Sequence, residues 1–195
     1  MYRLDSFKLK NNMIYILNIK NIYYLCTMKK TILIYHGLGS TPNKDRIKTF
    51  IKRGYNVISD LHDYHAEWNK DQGKSFMDKQ IELSKSVDLI LGISFGGYIA
   101  YELAKIHNIP CLLINPAIDR DKSKSNIKHY NFISGLNEPM IEVYYGVQDT
   151  NVDPLITLEY LEKNYKNYSV NPILKMAHRV PHVFFSKIIK SSKLV

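Results

Sequence analysis

The chain has 195 residues, enough for one domain with a sizeable core and too few for a second of ordinary size. Its 45% hydrophobic and 23% charged content is that of an ordinary soluble protein. The net charge of +9 divides into +5 over Met1–Lys30 and +4 over the rest. The body of the chain is therefore only mildly basic, without the dense basic stripe or binding motif that a nucleic-acid partner needs.

In chain order, Met13–Thr27 (MIYILNIKNIYYLCT) is apolar but broken by Asn18, Lys20 and Asn21. It is too short and too polar for a membrane-spanning helix, and it lacks the unbroken apolar stretch and small-residue cleavage site of a signal peptide. No stable membrane insertion is expected. Residues 1–27 read as an extension of uncertain role and 28–195 as the working domain, whose first strand follows Met28 almost at once. Ile32–Tyr35 is a strand ending in His-Gly. Asn43–Arg53 reads as a helix with Pro42 before it and Gly54 as its stop. Asn56–Ser59 is a short strand. Ser75–Ser86 carries Phe76, Ile81 and Leu83 at helical spacing, and Val87–Ile93 is a buried strand. Gly96–Asn108 continues as a helix with Ile99, Leu103 and Ile106 on one side. Pro110 ends it, and Cys111–Ile114 is the next strand.

Asp119–Lys128 is polar and reads as an exposed loop. Ile141–Tyr145 is a strand. Asp153, Pro154 and the run to Tyr165 form a helix with an N-cap and a proline in its first turn. Ile173–Met176 is a last, weaker strand, and Val183–Ile189 a closing helix. The alternation predicts an α/β fold: three layers, αβα, around a mostly parallel sheet of about six strands. In such sheets, sites gather at the carboxyl ends of the strands. The two cysteines, Cys26 and Cys111, have no metal-type spacing, and Cys111 opens an apolar run, so no disulfide scaffold or metal site is expected and a reducing cytoplasm is the default.

Gly92-Ile93-Ser94-Phe95-Gly96, followed by Gly97, lies between an apolar strand and a helix, as a nucleophile elbow requires. Neighbours two residues either side of the serine must be small, or side chains collide with the adjoining strand and helix. Serine is a weak nucleophile unless a base takes its proton. In chain order an acid and a histidine should follow. Asp149 lies just past the strand Ile141–Tyr145. Asp153 is the other candidate, with the competing role of helix cap. The base is His178, which directly follows the last strand, or His182, which sits after Pro181 where the closing helix starts. Histidine's ordinary pKa near 6.5 suits base catalysis around neutral pH. His36-Gly37-Leu38-Gly39-Ser40 follows the first strand of the domain. Its glycines allow the backbone to approach the elbow, and backbone N–H groups of Leu38 and Phe95 are candidate oxyanion donors. His36 reads as a support of this loop. His62 and His65, near Asp63 and Glu67, sit in turn-like sequence without a third ligand at set spacing, so they do not make a metal site. His107 and His129 read as surface residues. Trp68, Phe95, Tyr98 and Ile118 either line the site or pack in the core.

Together these segments resemble the α/β-hydrolase superfamily, and within it the small lidless members such as the YqiA-type esterases, over nearly all of Lys30–Lys190. The resemblance is carried by Tyr35-His36-Gly37 with Ser40 and Pro42, by Gly-Ile-Ser-Phe-Gly-Gly-Tyr at 92–98, by Asn115-Pro116-Ala117, by Gly146-x-x-Asp149-x-x-Val152 and by Ala177-His178-Arg179. It implies a triad of Ser94, Asp149 and His178, an oxyanion hole at Leu38 and Phe95 with Gly37, Gly92 and Gly96 as the enabling glycines, and hydrolysis of a small-molecule ester or thioester without metal or organic cofactor. The sequence departs from the family at Met176-Ala177, where a glycine pair is common, and in the N-terminal extension. The stretch between Asn115 and Glu142 is too short for a substantial helical cap, so an open site is expected.

Two other readings share these residues: an amidase or peptidase on the same scaffold, and a catalytically silent binding module. The oligomeric state is not encoded in any recognisable pattern. If residues 1–27 are a dispensable extension, their deletion leaves a soluble, folded protein with unchanged ester turnover; loss of soluble protein on truncation contradicts that division.

Overall fold

A computed structural model describes residues 29–119 and 137–195 in full and, within residues 1–28, the backbone of three strands. The chain divides into two compact units, Met1–Lys30 and Thr31–Val195. In the first, β1 (Asp5–Leu9), β2 (Asn12–Ile19) and β3 (Ile22–Cys26) form an antiparallel sheet in that order. The sequence pattern predicts no element here, because Asn18, Lys20 and Asn21 break the apolar run.

In the second unit the elements are β4 (Thr31–Tyr35), α1 (Lys44–Ile51), β5 (Asn56–Ile58), α2 (Tyr64–Asp71), α3 (Lys74–Ser84), β6 (Leu89–Ile93), α4 (Phe95–His107), β7 (Cys111–Ile114), β8 (Ile141–Gly146), α5 (Pro154–Asn164), β9 (Tyr168–Ile173) and α6 (His182–Ser191). The six strands pair in the order β5-β4-β6-β7-β8-β9, every pair parallel. The expected three-layer α/β fold is present.

The strand sequences explain the layering. Alternate residues face opposite sides of a sheet, and both sides of this one are covered. Leu33, Tyr35, Ile90, Leu113 and Val143 join Tyr64, Phe76, Tyr98 and Leu161 in one core. Ile32, Ile34, Leu91, Leu112 and Tyr144 join Phe50, Phe185 and Ile188 in the other. Helices α2 to α5 thus cover one face, and α1 with α6 the other. Chain order reverses at β4, whose sequence neighbour β5 lies on one side and β6 on the other. The crevice at the carboxyl ends of β4 and β6 is the switch point where ligands bind in open α/β sheets.

Three details differ from the sequence reading. Helix α2 falls in a stretch that reads as a turn, because it buries only Tyr64 and Trp68, one turn apart, and its Asp63 cap accepts from the Ala66 N–H. Gly73 at φ 80° then lets α3 start against Trp68, whose ring a Cβ there would meet at 2.7 Å. The last strand is Tyr168–Ile173, not Ile173–Met176. Pro172, which breaks the pattern, is tolerated on this edge strand. His107 is half-buried and donates from Nε2 to the Ile81 carbonyl at 2.9 Å, so it is not a free surface residue. The expected loop Asp119–Lys128 lies outside the described residues beyond Asp119, as do His129 and most of the short connection where no cap is expected. Among the described residues no helix is long and apolar enough to cross a membrane.

The close approach of β6, α4 and β4 makes a stability prediction. A Cβ at Gly92 would stand 2.6 Å from the Gly97 Cα and 2.6 Å from the Ala100 Cβ, whereas one at Gly39 meets nothing within 4 Å. Gly92→Ala should lower unfolding free energy by about 1–3 kcal/mol or prevent folding. Gly39→Ala carries only the left-handed backbone cost, about 1 kcal/mol. Thermal unfolding in the reverse order contradicts the crowding argument.

Candidate active site

Ser94 sits between β6 and α4 with φ 54° and ψ −120°, a backbone state that L residues rarely adopt. Its N–H donates to the Ile114 carbonyl at 3.0 Å, and its own carbonyl accepts from Gly97 at 2.9 Å and Ala117 at 3.1 Å. Three glycines permit the turn. A Cβ at Gly96 would lie 2.6 Å from the Tyr35 carbonyl oxygen, and one at Gly97 would lie 2.6 Å from the Pro116 Cβ. Gly92 meets the helix itself, as above. A serine at a helix N-cap commonly bonds its own helix. Ser94 makes no such bond, and its Oγ stands 3.0 Å from His178 Nε2.

His178 Nδ1 lies 2.8 Å from Asp149 Oδ2. The network assigns the proton to Nδ1, donated to the carboxylate, and leaves Nε2 as acceptor of the Ser94 hydroxyl. Asp149 Oδ1 accepts from the Asn151 N–H at 2.9 Å and the Val152 N–H at 3.0 Å. Its side chain is 1% exposed, while that of His178 is 24% exposed. The carboxylate is therefore screened from water behind an imidazole that reaches the surface. Asp153 accepts from the Leu155 N–H as the cap of α5. His182 is exposed in the first turn of α6, with Ser186 Oγ 3.4 Å from its Nε2. Of the sequence alternatives, the structure brings Asp149 and His178 to Ser94 and leaves Asp153 and His182 in helix ends.

The loop after β4 forms one wall. A Cβ on Gly37 would approach the Ser94 Cβ to 3.3 Å. Leu38 is half-buried and packs against the first core. His36 fixes the loop from below: Nδ1 donates to the Gly37 carbonyl at 2.9 Å and Nε2 accepts from the His62 N–H at 3.0 Å. Burial holds the His36 ring below the ordinary histidine pKa, which preserves that neutral tautomer. His62 stacks on His36 at 5.8 Å, and among the described residues no group of three metal-ligating side chains stands together. Trp68, Phe95, Tyr98 and Ile118 all belong to the buried core and none lines the cleft.

The cleft over Ser94 has a volume of about 710 Å³, and its walls include Gly37, Leu38, Thr41, Arg46, His178 and Arg179. Between the end of β9 and His178, Met176 is fully buried in the second core. Met176 replaces a glycine of the resembled family by anchoring the histidine loop. Gly146 complements it, since a Cβ there would come within 2.6 Å of the Met176 carbonyl carbon.

Asn115, to which the sequence pattern attaches no role, braces two loops of the site. It is 2% exposed and has φ 46°, at the carboxyl end of β7. Its Nδ2 donates to the carbonyls of Ala177 and His178, each at 3.0 Å, and its Oδ1 accepts from the Gly146 N–H at 2.7 Å. One amide thereby ties the loop carrying His178 to the strand preceding Asp149. A lone asparagine closing a four-residue apolar strand was the available signal. Asn115→Ala orphans the buried Gly146 N–H and removes the donor from two part-buried carbonyls, and should cost about 2 kcal/mol in thermal unfolding. It should also slow any chemistry that needs the Ser94–His178 pair, with the loss in kcat and not in KM. Asn115→Asp keeps the acceptor and loses the donors, so it should not rescue. Full activity in both variants contradicts the positioning role.

Comparisons with known proteins agree with this architecture. The folded chain is similar to a predicted CIB-like hydrolase from Thermoplasma acidophilum, at TM-score 0.59 and 14% identity over 97% of this chain and 95% of that one. It is similar to a monoacylglycerol lipase from Paleococcus ferrophilus, at TM-score 0.58 and 14% identity over 82% and 92%. It is also similar to the S-formylglutathione hydrolase FrmB from Staphylococcus aureus, at TM-score 0.58 and 17% identity over 97% and 93%. At these identities the likeness shows a shared α/β-hydrolase fold. No curated protein is recognisably similar in sequence. Residues 31–131 match the Uncharacterised protein family UPF0227, a stretch that contains Gly37, Leu38, Ser94 and Asn115 and stops before Asp149 and His178. Because that match spans just over half of the chain, the protein belongs to the UPF0227 family.

Proposed function

We propose that the protein is a serine hydrolase that cleaves a carboxylic ester or thioester of a small molecule through an acyl-enzyme on Ser94. The observation that carries this reading is the continuous hydrogen-bond chain from Ser94 Oγ through His178 to the buried Asp149. Its similarity in fold to a monoacylglycerol lipase and to an S-formylglutathione hydrolase is in keeping with it. We assign the activity to residues 28–195, with residues 1–27 as an extension, and the cytoplasm as its place of action.

The chemistry follows from the geometry. His178 Nε2 takes the hydroxyl proton as Ser94 Oγ bonds to the carbonyl carbon. Asp149 holds the ring in the tautomer that leaves Nε2 unprotonated, then stabilises the imidazolium without taking a proton. The carbonyl oxygen, now negative, rests on the N–H groups of Leu38 and Phe95. The imidazolium gives its proton to the departing alcohol or thiol as the carbon–oxygen or carbon–sulfur bond breaks. Water, deprotonated by the same nitrogen, attacks the acyl carbon and releases the acid and Ser94. Donors at positions 38 and 95 belong to the main chain, so side-chain changes there act only through packing.

The test is a panel of p-nitrophenyl esters, thioesters and peptide anilides, run on wild type beside Ser94→Ala. Ser94→Ala should lower kcat by about 10⁴-fold or more with the thermal unfolding midpoint nearly unchanged. Turnover that survives the substitution sinks the assignment. Hydrolysis of anilides in preference to esters moves the protein to the amidases.

A further inference from the structure

We infer that the cleft over Ser94 selects esters or thioesters bearing an anionic group, a carboxylate or a phosphate, which Arg46 and Arg179 receive. This rests on the serine-hydrolase reading of the same site. Among the described residues the cleft is lined by two arginines, Arg46 and Arg179, and by no Asp or Glu. Asp149 does not offset them, since its side chain is 1% exposed and both its oxygens are engaged.

Arg46 is held firmly. It projects from the first turn of α1 and is half-buried. It donates from Nη2 to the Val180 carbonyl at 2.7 Å and lies with its guanidinium carbon 5.2 Å from the centre of the Phe185 ring. Among the described residues no carboxylate pairs with it. Burial pushes its pKa below the ordinary value with no acid to oppose the shift, yet an arginine remains charged at any working pH. A half-buried cation without a counter-ion is costly, and a packing role alone does not need the charge. One carbonyl bond leaves most of its five N–H donors for a ligand. Arg179 follows His178 directly, is exposed and lines the same cleft, which adds a second positive side chain to its mouth. Two forked guanidinium groups match the planar carboxylate or the oxygens of a phosphate. The cleft is open to water, so the attraction is screened and its effect is one of selectivity, not of large affinity.

The experiment compares matched pairs of substrates. One pair places a carboxylate on the acyl side, p-nitrophenyl hemiglutarate against p-nitrophenyl valerate. The other places a phosphate on the alcohol side, the acetyl ester of 3-hydroxypropyl phosphate against propyl acetate, followed by pH-stat. Wild type should favour the charged member of at least one pair by about tenfold in kcat/KM, mainly through KM. The pair that responds identifies which group the cleft takes. The preference should shrink between about 0.05 M and about 0.5 M salt. It should fall at least about threefold in Arg179→Gln and in Arg46→Met, with Arg46→Lys between. Thermal unfolding reports whether the Arg46 variants fold, and Arg179→Gln decides if they do not. A ratio at or below one in both pairs, or one unmoved by either loss of charge, overturns the inference. The hydrolase reading then still stands on the loss of neutral-ester turnover in Ser94→Ala. Failure of wild type to cleave any ester, charged or neutral, overturns both.

Discussion

The backbone of Ser94 is the constraint on which the site depends. A serine at φ 54° costs about 1–3 kcal/mol and persists only where its surroundings over-determine it. Here they do so twice. Hydrogen bonds to Ile114, Gly97 and Ala117 hold both peptide groups. Glycines at 92, 96 and 97 let strand, helix and neighbouring loops come closer than any side chain would allow. The hydroxyl is consequently lifted out of the sheet and away from the helix it would otherwise cap. It meets an imidazole instead.

That imidazole is placed by elements distant in sequence. Parallel strands deliver the ends of β4, β6, β7, β8 and β9 to one edge, so the loops bearing Gly37, Ser94, Asn115, Asp149 and His178 meet there. Asn115 joins two of these loops through one buried amide, and Met176 roots the histidine loop in the core. Below the first loop, His36 uses both ring nitrogens, which keeps the backbone of Gly37 and Leu38 fixed against Ser94. His178, Asp149 and His36 are each held by a hydrogen bond on the side away from the cleft.

Most of the second unit was legible because its strands are short apolar runs and its helices carry recognisable caps and stops. The Gly92–Gly97 motif could be read because sterics dictate glycine there. The acid and the base can each be narrowed to two candidates by position after a strand, and the cap role of Asp153 already favours Asp149, which the coordinates place against His178. Helix α2 escaped notice because two buried aromatics among polar residues give almost no periodic signal. Pro172 reads as a strand breaker unless the strand is known to lie on an edge, so local pattern alone places the last strand too late. Asn115 and Arg46 act through contacts 31 to 134 residues away in sequence, which no local pattern encodes.

The central claim is that the Ser94 hydroxyl is made nucleophilic by His178. Covalent capture measures this without knowledge of the substrate. Treatment with a fluorophosphonate should add one label per chain, mapped by peptide mass to Ser94, and the rate of labelling should collapse in His178→Ala. No label on Ser94, or labelling at the same rate without the imidazole, contradicts the account.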